Sequence, residues 1–291
     1  MTAYNDGGMK IVKQGSILPL GKSLIRLPCG GCIGCRLDRA QMWTTRCVHE
    51  AKMHEENCFL TLTYSEENNP ITLVKKHHKD FMKALRHHLS PKIIRFYMCG
   101  EYGEQLNRPH YHFLIFGHRF DDLVLFSERE GINTYTSETL EKIWGRGYCT
   151  VGEVNKESAG YVARYCLKKI GGKNADEHYT KAHPTTGEIL SIQPEYNSMS
   201  TKPGIAKSWY QKYKSDVFPQ DMVILKDGSR VKTPRYYDLL LEADEPETIQ
   251  RIKEERTMEQ DLRWADQTRR RLATREIVKK AQIKNLKREK I

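Results

Sequence analysis

Apolar side chains recur along the chain with two different periods, one typical of helices and one typical of strands. Residues 36 to about 54 and residues 75–89 each carry apolar side chains at helical spacing, which predicts two helices. Between them, "CFLTLTY" at 58–64 is rich in β-branched and aromatic side chains and is followed by the polar loop "SEENNP". This composition predicts a strand that ends at a turn.

The pattern continues with further strands and helices. "KIIRFYMCGEYG" and "HYHFLIFG" predict two strands that are joined by a short polar turn at 107–109. A short helix at 137–144, a strand at 148–154 and the helix "KESAGYVARYCLKKI" follow, and Gly171-Gly172 ends this last helix. Strands joined by hairpins, with helices between some of them, predict an α+β fold with a central antiparallel sheet and helices packed on it.

The same pattern divides the chain into four parts. We expect an irregular or extended N-terminal arm at 1–28, a core at 29–171, and a loop-rich, proline-containing region at 172–244 that packs on the core or extends it. The tail at 245–291 is basic and poor in apolar residues, with 14 Lys or Arg against 7 Asp or Glu between residues 251 and 291. A solvated helix or disordered arm is the favoured interpretation of the tail, and an arm that binds nucleic acid or a partner is the alternative.

Charge and composition narrow the classes of function. The 291 residues carry a formal net charge of +11, which favours a polyanionic partner such as nucleic acid. No segment approaches the roughly 18 apolar residues that a membrane span requires. The N-terminal sequence lacks the features of a secretion signal, so we expect a reducing cytoplasm in which cysteines are free thiols or metal ligands rather than disulfides.

Two histidines stand one residue apart in a predicted strand. His110 and His112 therefore project from the same face and can bind one divalent cation, although histidines satisfied within a sheet are the alternative. Glu101 precedes the hairpin turn and would lie opposite His110, with Glu104 as the second choice. Two imidazoles and one carboxylate leave coordination positions open, and they favour Mg²⁺ or Mn²⁺ over structural zinc.

Two tyrosines and a lysine share one face of the last core helix. Tyr165 lies about 40° from Tyr161 around the helix axis, and Lys168 lies about 20° away on the other side. Such a pair often serves only packing. A phenol is a poor nucleophile at neutral pH, but a nearby lysine and a bound metal would activate it toward an electrophile. A phosphodiester fits best, because a metal can neutralise its oxygens while tyrosine forms a transient phosphotyrosine.

The motifs also resemble a known superfamily. "FLTLTY", "RPHYHFLIFG" and "GYVARYCLKK", in this order, resemble the three motifs of the HUH endonucleases. The longer runs "PCGGCIGCRLDRAQMWTTR" and "CGEYGEQLNRPHYHFLIFG" are similar to the replication initiators of microviruses, particularly the gokushovirus group. The resemblance covers about residues 28–170 and leaves 172–291 without a usable motif.

This resemblance implies the HUH endonuclease fold and rolling-circle replication. It implies that His110, His112 and the acidic residue of the "GEYG" strand bind the metal, and that Tyr161 and Tyr165 are alternating nucleophiles. One tyrosine would nick the viral strand at the origin, keep the 5′ end as phosphotyrosine and free a 3′-hydroxyl for the host polymerase. The second would cleave the regenerated origin, after which ligation releases circular single-stranded DNA. Lys168 would assist.

The implied partners are single-stranded or supercoiled phage origin DNA and the host helicase and polymerase, in the host cytoplasm. Basic side chains near the site are expected to contact phosphates, and aromatic side chains would stack on unpaired bases if they are exposed. A transposase or relaxase of a mobile element and a non-catalytic nucleic-acid-binding protein are the alternative functions. The expected phosphate contacts are Arg108, Arg164 and Lys169, and the stacking candidates are Tyr97, Tyr102 and Tyr111.

A separate cysteine motif precedes the first core helix. Cys29, Cys32 and Cys35 form C-x-x-C-x-x-C, and the intervening glycines permit tight turns. Close thiol pairs are typical of tetrahedral zinc, and Cys47 or His49 could supply the fourth ligand. Because the second pair of a full zinc site is missing, structural zinc and a bare turn with free thiols both remain open.

Overall fold

The protein is seen here in a computed structural model. The model describes residues 2–5, 9–12, 25–26, 28–103, 106–164, 175–182 and 186–285. Within these ranges the α-helices are α1 (Ile33–Ala51), α2 (Lys75–His88), α3 (Glu138–Trp144), α4 (Lys156–Arg164), α5 (Ala175–Tyr179), α6 (Lys207–Tyr213), α7 (Arg235–Asp244), α8 (Pro246–Leu262) and α9 (Arg269–Asn285). Two 3-10 helices span Lys214–Asp216 and Trp264–Gln267.

The strands form four separate sheets, and all of their pairings are antiparallel. They are β1 (Thr2–Asn5), β2 (Met9–Val12), β3 (Ile25–Arg26), β4 (Asn57–Thr63), β5 (Arg95–Tyr102), β6 (Pro109–Phe116), β7 (Val124–Arg129), β8 (Ile132–Thr136), β9 (Cys149–Gly152), β10 (Thr180–Ala182), β11 (Ile189–Ser191), β12 (Tyr196–Met199), β13 (Met222–Ile224) and β14 (Arg230–Lys232).

A seven-stranded sheet with the order β12-β5-β6-β4-β9-β8-β7 forms the centre of the molecule. Its middle strand β4 lies between β6 and β9, and the β5–β6 hairpin lies beside it. The α+β fold with a central antiparallel sheet is therefore confirmed. Among the described residues, none of the helices combines the length and apolar character that crossing a membrane requires.

Helices cover both faces of this sheet because its central strands are apolar on both faces. Alternate side chains of β6 point in opposite directions, so Tyr111 and Phe113 pack in one core while Leu114 and Phe116 pack in the other. The first core includes residues of α2 and α3, and the second includes residues of α1, α4, α6, α7 and α8. Each core removes its strand side chains from water, which is the main stabilising contribution.

Two helices on the second face lie close to the functional candidates. α1 packs along α4, and α4 also contacts β5 and β6. A β-carbon at Gly160 would lie 3.7 Å from Thr44 Oγ1, so this glycine permits the close approach of α4 to α1. The position of α4 over the sheet therefore depends on its packing against α1.

Three regions differ in detail from the sequence expectation. The described parts of 1–28 are paired strands that form a small sheet with the order β2-β1-β3. The region 172–244 supplies β12, which pairs with β5 at the edge of the central sheet. The tail contains α8 and α9, and Ile249 and Ile252 of α8 are buried in the second core.

Candidate functional site

A carboxylate and two imidazoles meet where the β5–β6 hairpin approaches its turn. The strand register places Glu101 opposite His110, and His112 lies two residues further along β6. Glu101 Oε1 is 2.7 Å from His110 Nε2 and 2.9 Å from His112 Nε2. Glu101 is 1 % exposed and His112 is 4 % exposed, so the three groups interact in a largely dry environment.

The second nitrogen of each imidazole contacts a group that orients the ring. His110 Nδ1 donates to the carbonyl oxygen of Arg108 at 3.1 Å, because a carbonyl can only accept. His112 Nδ1 is 3.0 Å from Thr61 Oγ1 on the neighbouring strand β4. With Nδ1 of His110 protonated, a neutral ring would turn the lone pair of Nε2 toward the carboxylate. Either a proton or a metal cation must therefore lie between Nε2 of His110 and Glu101.

The electrostatics favour an ionised carboxylate at this point. Burial alone raises the pKa of Glu101, but the hydrogen bonds from His110 and His112 outweigh it and lower the pKa to about 2. Glu101 is therefore negatively charged at neutral pH. A buried negative charge flanked by two nitrogen atoms attracts a cation.

The donor set fits a divalent metal ion. One ligand atom from each of Glu101, His110 and His112 lies within 4.8 Å of the other two. Adjacent ligands of an octahedral ion with bonds of about 2.1 Å lie about 3 Å apart, which is close to the two measured separations. Two histidines and one carboxylate also leave positions open for a substrate. Glu104, the second choice as carboxylate ligand, lies outside the described residues.

A tyrosine of α4 stands beside this cluster. The ring centroid of Tyr161 is 5.0 Å from that of His112, and the two ring planes are nearly perpendicular at 89°. Phe59 supports both rings, with centroids 5.7 Å from His112 and 6.2 Å from Tyr161. Tyr161 is only partly buried, in contrast to Val162 and Ala163 beside it. The half-buried phenol therefore lies at the edge of the candidate metal site.

The other residues predicted for this site are only partly described. Tyr165, Lys168 and Lys169 lie outside the described residues. Arg108 forms an ion pair with exposed Glu66, with 2.8 Å between Nη2 and Oε1. Arg164 is exposed at the end of the described part of α4. The predicted phosphate contacts of these basic residues stay predictions.

The base-stacking candidates on the sheet are corrected by the structure. Tyr97 and Tyr111 are fully buried and Tyr102 is 8 % exposed, so none of them can stack on an unpaired base. The Tyr111 hydroxyl instead bonds to the backbone of Val74. These three tyrosines are core residues because both faces of β5 and β6 are covered.

One residue beside the site was not predicted from the sequence, although a signal for it was present. Thr61 lies in the "FLTLTY" strand and pairs directly with His112 across β4 and β6. Cross-strand partners point to the same face, so the threonine is placed to contact the imidazole once the strand order is known. The order of β4 and β6 was the missing information.

The cysteine motif forms a second cluster. Cys29, Cys32 and Cys35 each offer a sulfur atom, and these atoms lie within 4.8 Å of one another. The proposed fourth ligands are wrong, because Cys35, Cys47 and His49 all lie on α1. At about 1.5 Å of rise per residue, Cys47 is about 18 Å along the helix from Cys35, and His49 is farther still.

Both rejected ligands have other environments. Cys47 is buried in the second core. His49 is 3 % exposed, its Nδ1 is 2.8 Å from the Tyr237 hydroxyl, and its ring stacks on Trp209 with 3.5 Å between centroids. These two residues are core residues of the interface between α1 and the C-terminal helices.

The fold and the cluster of histidines and carboxylate define a class that comparison with known proteins identifies. The family model of the replication-associated protein ORF2 matches residues 57–170, which include β4, the β5–β6 hairpin and α4. No solved structure gives a significant match.

Individual relatives extend the match beyond that segment. The chain is 35 % identical to the replication-associated protein VP4 of Bdellovibrio phage phiMH2K, over 76 % of this chain and 69 % of the relative. It is 33 % identical to the replication-associated protein ORF2 of Spiroplasma virus 4, over 75 % of this chain and 68 % of the relative. A third relative, replication-associated protein ORF4 of Chlamydia phage 1, is 32 % identical over 50 % of this chain and 38 % of its own length. The chain belongs to the replication-associated proteins of microviruses.

Proposed function

We propose that this protein initiates rolling-circle replication as a metal-dependent tyrosine endonuclease and strand transferase of the HUH type. The observation that carries the proposal is the Tyr161 ring, 5.0 Å from the His112 ring of a cluster that also contains His110 and Glu101. This arrangement brings a nucleophile next to a group of metal ligands. Replication-associated relatives in three phages support a role in replication.

The chemistry follows from these side chains. Mg²⁺ or Mn²⁺ bound by Glu101, His110 and His112 would neutralise the non-bridging oxygens of the scissile phosphodiester. The phenolic oxygen of Tyr161 attacks phosphorus and loses its proton to solvent. The bond from phosphorus to the 3′-oxygen breaks, the 3′-oxygen takes up a proton, and the 5′ end stays bound to Tyr161 as phosphotyrosine. Because the phosphotyrosine conserves the energy of the broken bond, a later attack by a 3′-hydroxyl reseals DNA without ATP.

A second nucleophile would complete the cycle. Tyr165 is its candidate, with Lys168 stabilising phenolate, as the helix periodicity and the resemblance to two-tyrosine HUH enzymes suggest. After one round of synthesis the second tyrosine cleaves the regenerated origin. The freed 3′-hydroxyl then attacks the first phosphotyrosine and releases a circular single strand.

The partners follow from the charge and from the reaction. The net charge of +11 suits origin DNA in single-stranded or supercoiled form, and Arg108, Arg164 and Lys169 are the proposed phosphate contacts. The freed 3′-hydroxyl needs a polymerase and a helicase, which we assign to the host, in its cytoplasm. A relaxase or transposase would use the same chemistry. The names of the relatives favour replication over those alternatives.

The test is the formation of a covalent protein–DNA adduct. Labelled single-stranded oligonucleotides that tile the viral strand encoding this chain are incubated with the protein and Mn²⁺, and SDS-resistant adducts are counted. We expect an adduct that a chelator abolishes and that mass spectrometry maps to Tyr161 or Tyr165. Tyr161→Phe and Tyr165→Phe should each retain one cleavage event and lose circular product, and the double variant should form no adduct.

Matched controls make the result specific. Tyr148→Phe changes an exposed tyrosine outside the site and should leave adduct formation unchanged. His88→Ala changes an exposed histidine of α2 and should also leave it unchanged, whereas His110→Ala should abolish the reaction. A folded protein that binds the oligonucleotides yet forms no adduct with any of them would overturn the catalytic proposal and favour a non-catalytic nucleic-acid-binding protein.

A further inference from the structure

Three cysteines ahead of α1 and in its first turn differ from the other described cysteines in their exposure. Cys29 and Cys32 are exposed and Cys35 is partly exposed, whereas every other described cysteine is buried. Cysteine is among the most buried residue types, and its packing explains the buried ones. Three exposed thiols within seven residues need a different explanation, which their mutual geometry supplies.

The spacing of the sulfur atoms matches one shared ion. Cys29 Sγ and Cys35 Sγ are 3.9 Å apart, and all three sulfur atoms lie within 4.8 Å of one another. In a tetrahedral zinc site with bonds of about 2.3 Å, two thiolates lie about 3.8 Å apart. A disulfide requires about 2.05 Å between sulfur atoms. An iron–sulfur cluster binds each thiolate to a different iron and spreads the sulfur atoms farther apart than a single ion does.

The backbone between the cysteines also has the form that metal-binding loops need. The turn passes through Gly30, whose φ of +72° is rare for other residues. It aims the backbone N–H of Cys32 at Cys29 Sγ, 3.2 Å away. This hydrogen bond is the main cause that lowers the pKa of Cys29 to about 7, so its thiolate, the form that binds metal, is accessible near neutral pH.

The surroundings favour the negative charge that three thiolates bring to a divalent ion. Cys32 is the N-cap of α1 and Cys35 lies in its first turn, where the helix dipole stabilises negative charge. The guanidinium of Arg39 reaches back over the loop, 3.7 Å from the position that a β-carbon on Gly30 would take. Both features offset the negative charge of a zinc–trithiolate group.

We propose that Cys29, Cys32 and Cys35 bind one Zn²⁺ ion, which fixes the start of α1. Because α1 packs against α4, the zinc site stabilises the helix on which α4 and Tyr161 depend. Within the described part of the chain, the metal-ligand groups near these thiols are the three cysteines themselves. The fourth position is filled by solvent or by a group outside that part. This site is independent of the metal that the nicking reaction needs.

The test measures metal content and ligand type in the full chain. Protein purified under reductant with added Zn²⁺ is analysed for zinc by mass spectrometry, and a second sample is loaded with Co²⁺ for absorption spectroscopy. We expect about one zinc per chain and intense sulfur-to-cobalt charge-transfer bands. Cys29→Ser, Cys32→Ser and Cys35→Ser should each lose both signals and lower the melting temperature.

Two controls separate this site from its alternatives. Cys47→Ala, on the same helix but away from the cluster, should retain zinc and the cobalt bands. The double variant His110→Ala, His112→Ala should also retain them, because it removes only the other candidate ligands. The proposal is overturned if the protein binds no stoichiometric zinc, if Cys32→Ser leaves zinc unchanged, or if the protein instead holds iron and sulfide.

Discussion

Thr61 and the carbonyl of Arg108 play equivalent parts, because each contacts Nδ1 of one imidazole and so directs its Nε2 toward Glu101. Such contacts fix the ring orientation and raise the basicity of the ligand nitrogen. The Arg108 contact comes from the backbone and survives any side-chain substitution. The Thr61 contact comes from a hydroxyl and can be removed.

Replacing Thr61 by valine should weaken Mn²⁺ binding. Valine keeps the shape and strand preference of threonine but loses the oxygen beside His112 Nδ1, and loss of such a contact costs roughly 10- to 100-fold in metal affinity. Titration calorimetry with Mn²⁺ measures the change. Thr63→Val is the matched control, since Thr63 bonds to Trp144 and Tyr148 through its backbone. Equal affinities in the two variants would contradict the orienting role of Thr61.

His49 should make the fold sensitive to acid. Burial, and secondarily the charge of Lys52, lower its pKa from 6.5 to about 3. Between pH 6.5 and 3 the unfolded chain binds a proton at this position that the folded chain does not. The free energy of unfolding therefore falls as the pH falls through this window, by up to about 1.4 kcal/mol per pH unit from this group.

Urea denaturation at several pH values between about 7.5 and 4.5 tests this dependence. His49→Gln removes the titrating group, so the slope of stability against pH should decrease by about one proton. The absolute stability of this variant should also fall, because the stack on Trp209 is lost. His88→Gln, at an exposed position, should leave the slope unchanged. An unaltered slope in His49→Gln would show that His49 is not the acid-sensitive group.

At the scale of elements, the end of α1 is tied to the sheet by a buried ion pair. Glu50 is 3 % exposed and contacts the guanidinium of Arg95 on β5, His54 and the backbone N–H of Ala206. Burial raises the pKa of Glu50, but these three hydrogen-bond donors outweigh it and lower the pKa. The carboxylate therefore joins α1, β5 and the loop before α6.

Replacing Arg95 by methionine should destabilise the protein by about 3 kcal/mol, because it leaves a buried carboxylate without its main counter-charge. The double variant with Glu50→Gln should recover part of the loss, which separates the charge effect from lost packing. Lys76→Met, in the exposed pair with Asp80, should cost less than about 1 kcal/mol. Urea denaturation measures all three, and a similar small cost for Arg95→Met and Lys76→Met would refute the prediction.

The elements that sequence predicts well are those with long apolar periods. The helix expected at 36 to about 54 is observed as α1 at Ile33–Ala51, and the strand expected at 58–64 is β4 at Asn57–Thr63. The β7–β8 hairpin and β12 were not predicted. β12 has four residues and β7 is largely exposed, so neither has a strong period, and each is held by pairing with a neighbour that sequence alone does not identify.

At the scale of the whole molecule, the site is predictable only in part. Hairpin geometry is local, so the contact of Glu101 with His110 follows from the sequence. The position of Tyr161 beside His112 depends on how α4 packs across the sheet, and only the family resemblance pointed to it. The stacking candidates among the tyrosines failed because the sequence does not show that helices cover both sheet faces.

The boundary of the folded molecule lies within the basic tail. Ile249 and Ile252 of α8 are buried in the second core, while the described side chains of α9 are almost all exposed. A chain that ends at Gln267 should therefore melt within a few degrees of the full chain. A chain that ends at Asp244 loses both isoleucines, which contribute roughly 2 kcal/mol or more each, and should melt at least about 5 °C lower. Thermal melts followed by circular dichroism measure the difference, and equal melting temperatures would place α8 outside the fold.

The segment removed in the chain that ends at Gln267 carries ten Lys or Arg against two Asp or Glu. If this segment contacts the DNA backbone, its loss should weaken binding of single-stranded DNA and reduce the dependence of affinity on salt, because each phosphate contact contributes about 0.7 to the slope of log affinity against log salt. Fluorescence anisotropy at several salt concentrations measures both. An unchanged slope in a truncated chain that still melts normally would assign the tail to solvent and leave DNA binding to the core around Tyr161.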